Sequence, residues 1–159
     1  MGQITEVRFE DLMPGELDFH PRGLRNFIMN EKKGQLSLPT PVRSSTIFPN
    51  MYVTLDGRNR MIGGMMKGLK TTPVFVTSSV RDVMEHKQFS KFPYFLLSIS
   101  NASICNNWAY ADDVAKMSGA ENYRQYFQIL LRRYPYIGST QSFLEHLSKL
   151  PEKTRYDLM

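Results

Sequence analysis

Apolar and polar positions along this chain fall into short blocks that can be read one at a time. Ile4, Val7 and Phe9 are interleaved with Glu6 and Arg8, close to the period of two that marks an edge strand. Met13-Pro14-Gly15-Glu16 follows as a turn. Leu24, Phe27 and Ile28 give a short amphipathic helix, with Leu36 a further candidate for its apolar face. Glu31 to Gln35 is a charged turn in which Gly34 is a natural helix C-cap. Prolines at 39, 41 and 49 confine Val42 to Phe48 to an edge strand or a short central piece.

The most structured stretch runs from Met51 to Val76. Met51 to Leu55 is a short apolar run that stops at Asp56-Gly57, which predicts a buried strand rather than a helix. Gly57 can take the positive φ of a tight turn, and Asp56 can cap the amides of the next helix. That helix is predicted over Arg58 to Lys67, with Met61, Ile62, Met65 and Met66 on one face. Gly63 and Gly64 each cost about 1 kcal/mol in a helix interior, and what they offer in return is close approach to a neighbouring strand or ligand. Gly68 is a C-cap, and Thr72 to Val76 starts a second strand.

Beyond Val76 the pattern turns helical. Thr77-Ser78-Ser79 can cap Val80 to His86, and Tyr94 to Ala102 is predicted as a docking helix after the break at Pro93. Ala111 to Met117 makes a short helix and Ser118-Gly119-Ala120 a turn. Tyr123, Tyr126, Phe127, Leu130 and Leu131 then recur at helical spacing until Tyr134-Pro135. Thr140 to Leu150 is a last helix, capped by Ser139 or Thr140, with Phe143, Leu144 and Leu147 facing inward.

Composition adds modest constraints. The 159 residues, 42% hydrophobic and 22% charged, suit a globular protein with a real core. The single Cys105 cannot form an internal disulfide, no signal segment opens the chain and no apolar run approaches a membrane span. A cytoplasmic location without a membrane partner is the resulting expectation. Twenty Lys and Arg against fifteen Asp and Glu give +5, which biases the partners toward nucleic acid, nucleotides or acidic proteins.

The chemistry gathers at Asp56-Gly57-Arg58-Asn59-Arg60. A helix start flanked by two guanidinium groups is a general solution for holding phosphate. Solvated arginines beside a capping aspartate fit the same letters equally well. His20, Arg22 and Arg25 supply further donors, or belong to a polar loop in which Pro21 sets a helix start. The hydroxyls of Ser44, Ser45 and Thr46 can serve phosphate oxygens or, in the plainer and preferred reading, edge hydrogen bonding. In the helical half, a short helix, a glycine turn and a helix carrying Arg124, Gln125, Gln128, Arg132 and Arg133 invite comparison with a helix-turn-helix. Arg124, Gln125 and Gln128 would then face bases, and Arg132 or Arg133 phosphates. A plain helical extension with solvated arginines accounts for the same residues.

The succession Tyr52 to Leu55, Asp56-Gly57-Arg58-Asn59-Arg60, Gly63-Gly64, Gly68-Leu69 and Pro73-Val74 resembles the ParB/sulfiredoxin superfamily. Members carry a strand, a Gly-x-x-Arg turn, an Ala/Gly-rich helix, Gly-Leu and a Pro-initiated strand. Upstream, Ile4 to Val7, Phe9 to Leu12, His20-Pro21-Arg22 and Leu24 to Met29 resemble the family's opening elements, so the resemblance covers about residues 4 to 80. It implies an α+β fold, a small mixed sheet with short helices over residues 1–80, followed by an all-helical extension over 81–159. It also implies a phage- or plasmid-type protein that binds phosphate, of a nucleotide or of DNA, through Asp56, Gly57, Arg58, Asn59, Arg60, Arg22 and His20. DNA is the leading partner, and a nucleotide, a protein partner and a homodimer are compatible with it. A nucleoside triphosphate with Mg²⁺ is the cofactor it admits; no metal site is expected from the chain itself. The turn departs from the family. It lacks the sulfiredoxin cysteine, the glutamate and consecutive arginines of partition proteins, and the histidine of the superfamily's small-molecule kinases, for which Glu16 is a candidate base. Phosphotransfer or nucleotide hydrolysis, and a protein-binding inhibitor that has lost catalysis, are the two alternatives to binding.

Overall fold

The computed structural model describes residues 3–17, 21–29, 39–55, 58–77 and 102–149. The alternating block at its start forms β1 (Gln3–Arg8), and a 3-10 turn over Phe9–Asp11 leads into the two-residue strand β2 (Leu12–Met13). Helix α1 (Pro21–Met29) opens on proline, whose fixed φ suits the first helical position. Strands β3 (Thr40–Ser44) and β4 (Tyr52–Thr54), helix α2 (Arg58–Met66) and strand β5 (Thr71–Val76) follow. The helical half contains α3 (Ala102–Met117), α4 (Tyr123–Arg133) and α5 (Thr140–Ser148). The charged turn at Glu31 to Gln35, Leu36, and the helices expected over Val80 to His86 and from Tyr94 lie outside the described residues. No helix among those described is long and apolar enough to cross a membrane.

The five strands make one mixed sheet in the order β1-β5-β3-β4-β2. β1 runs antiparallel to β5, β5 parallel to β3, β3 antiparallel to β4, and β4 parallel to β2. Thus β1 is an edge strand, as its alternation suggests. β3 lies at the centre despite its proline. In the β3–β4 register Val42 faces Thr54, so Pro41 stands opposite Leu55, just past the end of β4. The Leu55 amide still donates to the Pro41 carbonyl at 2.9 Å, so the missing proline N–H falls where the ladder is already ending.

Side chains alternate between the two faces of the sheet. Leu12, Val42 and Val74 share a core with Met61, Ile62, Met65 and Met66 of α2 and with Tyr123, Tyr126, Phe127 and Leu130 of α4. Met13 and Val53, with Leu55, turn the other way and meet Ala111 and Ala115 of α3. The larger core therefore runs across the boundary expected at residue 80 without a break. α2 differs from a one-faced helix, because every residue from Arg60 to Met66 is buried. It packs against both α1 and α4, and Gly64 lets it also approach the 3-10 turn: a Cβ there would lie 3.3 Å from Phe9 Cζ.

Two helical expectations need correction. α3 begins at Ala102 rather than Ala111, since no glycine or proline interrupts the chain up to Met117. In α5, Phe143 and Leu147 are buried but Leu144 faces outward, because they share a narrow stripe from which Leu144 is rotated by one residue. Ser139 is its N-cap, accepting from the Ser142 amide at 3.0 Å. Tyr136 stacks on His146 with ring centroids 3.9 Å apart, fastening the turn before α5 to the helix itself.

Asp112 fastens α3 to the β3–β4 hairpin. Its carboxylate accepts hydrogen bonds from Ser45 Oγ (2.6 Å), Thr46 Oγ1 (2.7 Å) and the Thr46 amide (3.2 Å), and pairs with Arg43 Nη1 at 2.8 Å. The hydroxyls of this segment therefore hold the fold together. Burial pushes the carboxyl pKa up, but the bonds from Ser45, Thr46 and Arg43 outweigh it and hold the group below its ordinary 3.8. A carboxyl whose pKa falls on folding stabilises the native state above its unfolded value, and that stability is lost as pH drops through the folded value. Asp112→Asn removes the titration. Its stability deficit relative to wild type is expected to be full at about pH 7 and to close below about pH 4, read by thermal melts across that range. A deficit that stays constant with pH would sink this account.

Candidate functional site

The residues around the first turn of α2 are brought together by the loop from Pro14 to Leu17. Gly15 approaches β4 so closely that a Cβ there would fall 1.8 Å from the Thr54 carbonyl oxygen. The buried Thr54 hydroxyl accepts from the Gly15 amide at 3.0 Å and lies 3.4 Å from the Met13 carbonyl oxygen. On the other side of Glu16, the Leu17 carbonyl accepts from Tyr126 Oη of α4 at 2.7 Å. Glu16 is thereby held between two anchored neighbours. Its Oε2 lies 3.7 Å from Arg58 Nη1, with the two side chains 21% and 18% exposed.

That contact is an ion pair too long to be a hydrogen bond. Arg58 is the first residue of α2, where the aligned peptide dipoles already present partial positive charge. A cation at this end of a helix is electrostatically unfavourable alone, and Glu16 offsets it. The pairing is incomplete, because Arg58 Nε is buried with no hydrogen-bond partner. Asn59 Oδ1 and Thr40 Oγ1 are the other two buried side-chain atoms in this condition among the described residues. Native proteins leave few such atoms, and an ion or ligand is one standard explanation.

Arg60 behaves differently. It is 7% exposed and its Nη1 donates to the Pro39 carbonyl at 3.1 Å, so it ties α2 to the entry of β3. Asn59 lies beneath α1, where a Cβ on Gly23 would come within 3.1 Å of its Nδ2. Arg22 belongs to α1, but its side chain, like Asp56, Gly57 and His20, lies outside the described residues.

No protein-family model matches this chain, and no curated protein matches it. Among the described residues no group of three or more His, Cys, Asp or Glu side chains is placed to hold a metal ion.

The residues considered for DNA are spread around α4. Arg124 turns toward the sheet. It pairs with Glu10, its guanidinium carbon lies 5.5 Å from the Phe9 ring centroid, and its Nη2 donates to the Leu69 carbonyl at 3.4 Å. Gln125, Gln128, Arg132 and Arg133 are exposed; Arg133 lies over the Tyr134 ring at 5.7 Å. In the sequence Arg58 stands out at the helix start, and Glu16 reads only as a candidate base, not as a counter-ion. The orphaned Thr40 hydroxyl has no local signal either, since one threonine between two prolines is ordinary.

Proposed function

We propose that this chain is a ParB/sulfiredoxin-like protein that binds phosphate at the first turn of α2, with Arg58 as its principal ligand. The single observation carrying this reading is Arg58: a guanidinium at the positive end of a helix, held by a long ion pair, with a buried Nε that nothing bonds. A phosphate oxygen would satisfy that donor and the helix end together. The order of elements around it, with an edge strand, a first helix, a strand running into α2 and a proline-containing strand after it, supports the resemblance. The setting it implies is DNA partition, regulation or phage host takeover.

Arg58 is only 18% exposed beside the Glu16 loop, which favours a small phosphate-bearing molecule such as a nucleotide over the backbone of a duplex. DNA would be met elsewhere. The exposed face of α4, with Gln125, Gln128, Arg132 and Arg133, supplies groups suited to phosphate contacts. Arg124 in the first turn of α4 is engaged with Glu10 and Phe9 and is not free to enter a groove.

Thermal shift against ATP, CTP and GTP with Mg²⁺ tests the first part, since a ligand of the native state raises the melting temperature. Arg58→Ala is expected to lower nucleotide affinity by about tenfold, the worth of one charge-assisted hydrogen bond. An Arg58→Ala protein that responds to nucleotide as wild type does would remove Arg58 from the site. A gel shift whose DNA affinity falls steeply with salt supports the second part.

A further inference from the structure

Helix α3 turns Ala111 and Ala115 inward onto Met13, Val53 and Leu55, and Asp112 fixes it to the β3–β4 hairpin. Its opposite side is therefore presented in a set orientation. That side carries Tyr110 and Met117, 59% and 75% exposed, the two most exposed large apolar side chains among the described residues. With the half-buried Val114 they stand at i, i+4 and i+7, the spacing of one apolar stripe. Apolar residues scattered singly over a surface are ordinary, but a stripe at this spacing is the seam of a helix pair.

We propose that the outer face of α3 is a contact for a second copy of this chain, packed antiparallel about a two-fold axis beside Val114. The inference goes beyond the phosphate reading of α2 and does not depend on it.

The charges beside the stripe select the occupant. Asp113 and Lys116 are exposed on one flank, a turn apart, and neither joins an ion pair among the described residues. They cancel, so this face is neutral on a chain that carries +5. A nucleic acid or an acidic protein meets no positive field here. A second copy meets both signs. In a two-fold pair, residue i meets j wherever j meets i, so an axis beside Val114 sets Asp113 of each copy toward Lys116 of the other. The same rotation lays each Met117 against the Tyr110 ring of the second copy, a favourable sulfur–aromatic contact. A parallel pair would instead set Asp113 beside Asp113 and Lys116 beside Lys116, which repel. Two turns of helix cover less than the roughly 800 Å² a side of a standard interface, so the dimer is expected to be reversible and to need high protein concentration.

Sedimentation velocity of the full chain over a concentration series tests this, with wild type expected to pass from monomer to dimer. Met117→Gln is expected to weaken association about tenfold, as for a residue at the centre of a small contact. Asp113→Lys and Lys116→Asp each turn two attractive contacts into two repulsive ones, and each is expected to weaken it by about tenfold or more. An equimolar mixture of those two variants sets unlike charges together again, and is expected to recover dimers near wild-type strength. All three positions are exposed, and unchanged melting temperatures at low concentration confirm that the variants fold. A wild type that stays monomeric throughout overturns the proposal. So does a dimer indifferent to Met117→Gln and to both charge reversals. Reversals that weaken association without recovery in the mixture overturn the antiparallel pairing.

Discussion

Replacing Gly15 with alanine is expected to destabilise the protein by about 3 kcal/mol or more, the upper range for forced overpacking. The new methyl would sit 1.8 Å from the Thr54 carbonyl oxygen, and that atom is backbone inside a paired strand, with no rotamer to escape into. Either the loop lifts or β4 moves. Lifting the loop breaks the bond from the Gly15 amide to the Thr54 hydroxyl and strains the short β2–β4 ladder, in which Leu12 and Met13 pair with Tyr52 and Val53. Gly68→Ala is the control. Gly68 has φ of +78° and open space around it, so alanine there is expected to cost only about 1 kcal/mol of backbone preference. Urea midpoints at unchanged slope measure both. Similar losses at the two positions would mean that the close approach at Gly15 does not govern the loop.

The second large effect belongs to Asp112→Ala, expected to cost about 3 kcal/mol, as is usual when one partner of a buried ion pair is removed. The side chains of Arg43 and Asp112 are 14% and 9% exposed, so water does little to compensate either. The variant leaves the Ser45 and Thr46 hydroxyls and the Thr46 amide without their shared acceptor and loosens the hairpin from α3. Asp112→Asn retains the shape and part of the acceptor capacity, and is expected to lose roughly half as much. An alanine variant as stable as wild type in urea would show that α3 is held by Ala111 and Ala115 packing alone.

Where local chemistry decides the backbone, the letters were readable. Gly68 at positive φ, Ser139 as a cap, the stop after Tyr134 and the inward Tyr123, Tyr126, Phe127 and Leu130 all follow from neighbours within a turn or two. Features set by distant partners were not. β3 is central because β4 and β5 pair on either side of it, and no local pattern around Pro41 reveals two neighbours. α2 is buried on all sides because α1 and α4 close over it, which its own spacing of Met61, Ile62, Met65 and Met66 cannot encode. In the candidate site, Arg58 was visible as a helix-start arginine. The opposition of Glu16 and Arg58 depends on Gly15 docking against Thr54, 39 residues away, and the tie from Arg60 to Pro39 spans 21. Ser45 and Thr46 read as a hydroxyl run, but their acceptor lies more than sixty residues downstream at Asp112.

The core shared across residue 80 constrains how such a protein can change over generations. Tyr123, Tyr126, Phe127 and Leu130 complete the interior begun by Phe9, Leu12 and Met61, so the helical half is not cargo that recombination could exchange for another tail. A swap at that point would strip the first half of its cover. Drift is instead free along the outer stripe of α4, where Gln125, Gln128, Arg132 and Arg133 are exposed. That stripe could be rewritten residue by residue without disturbing the interior that carries it.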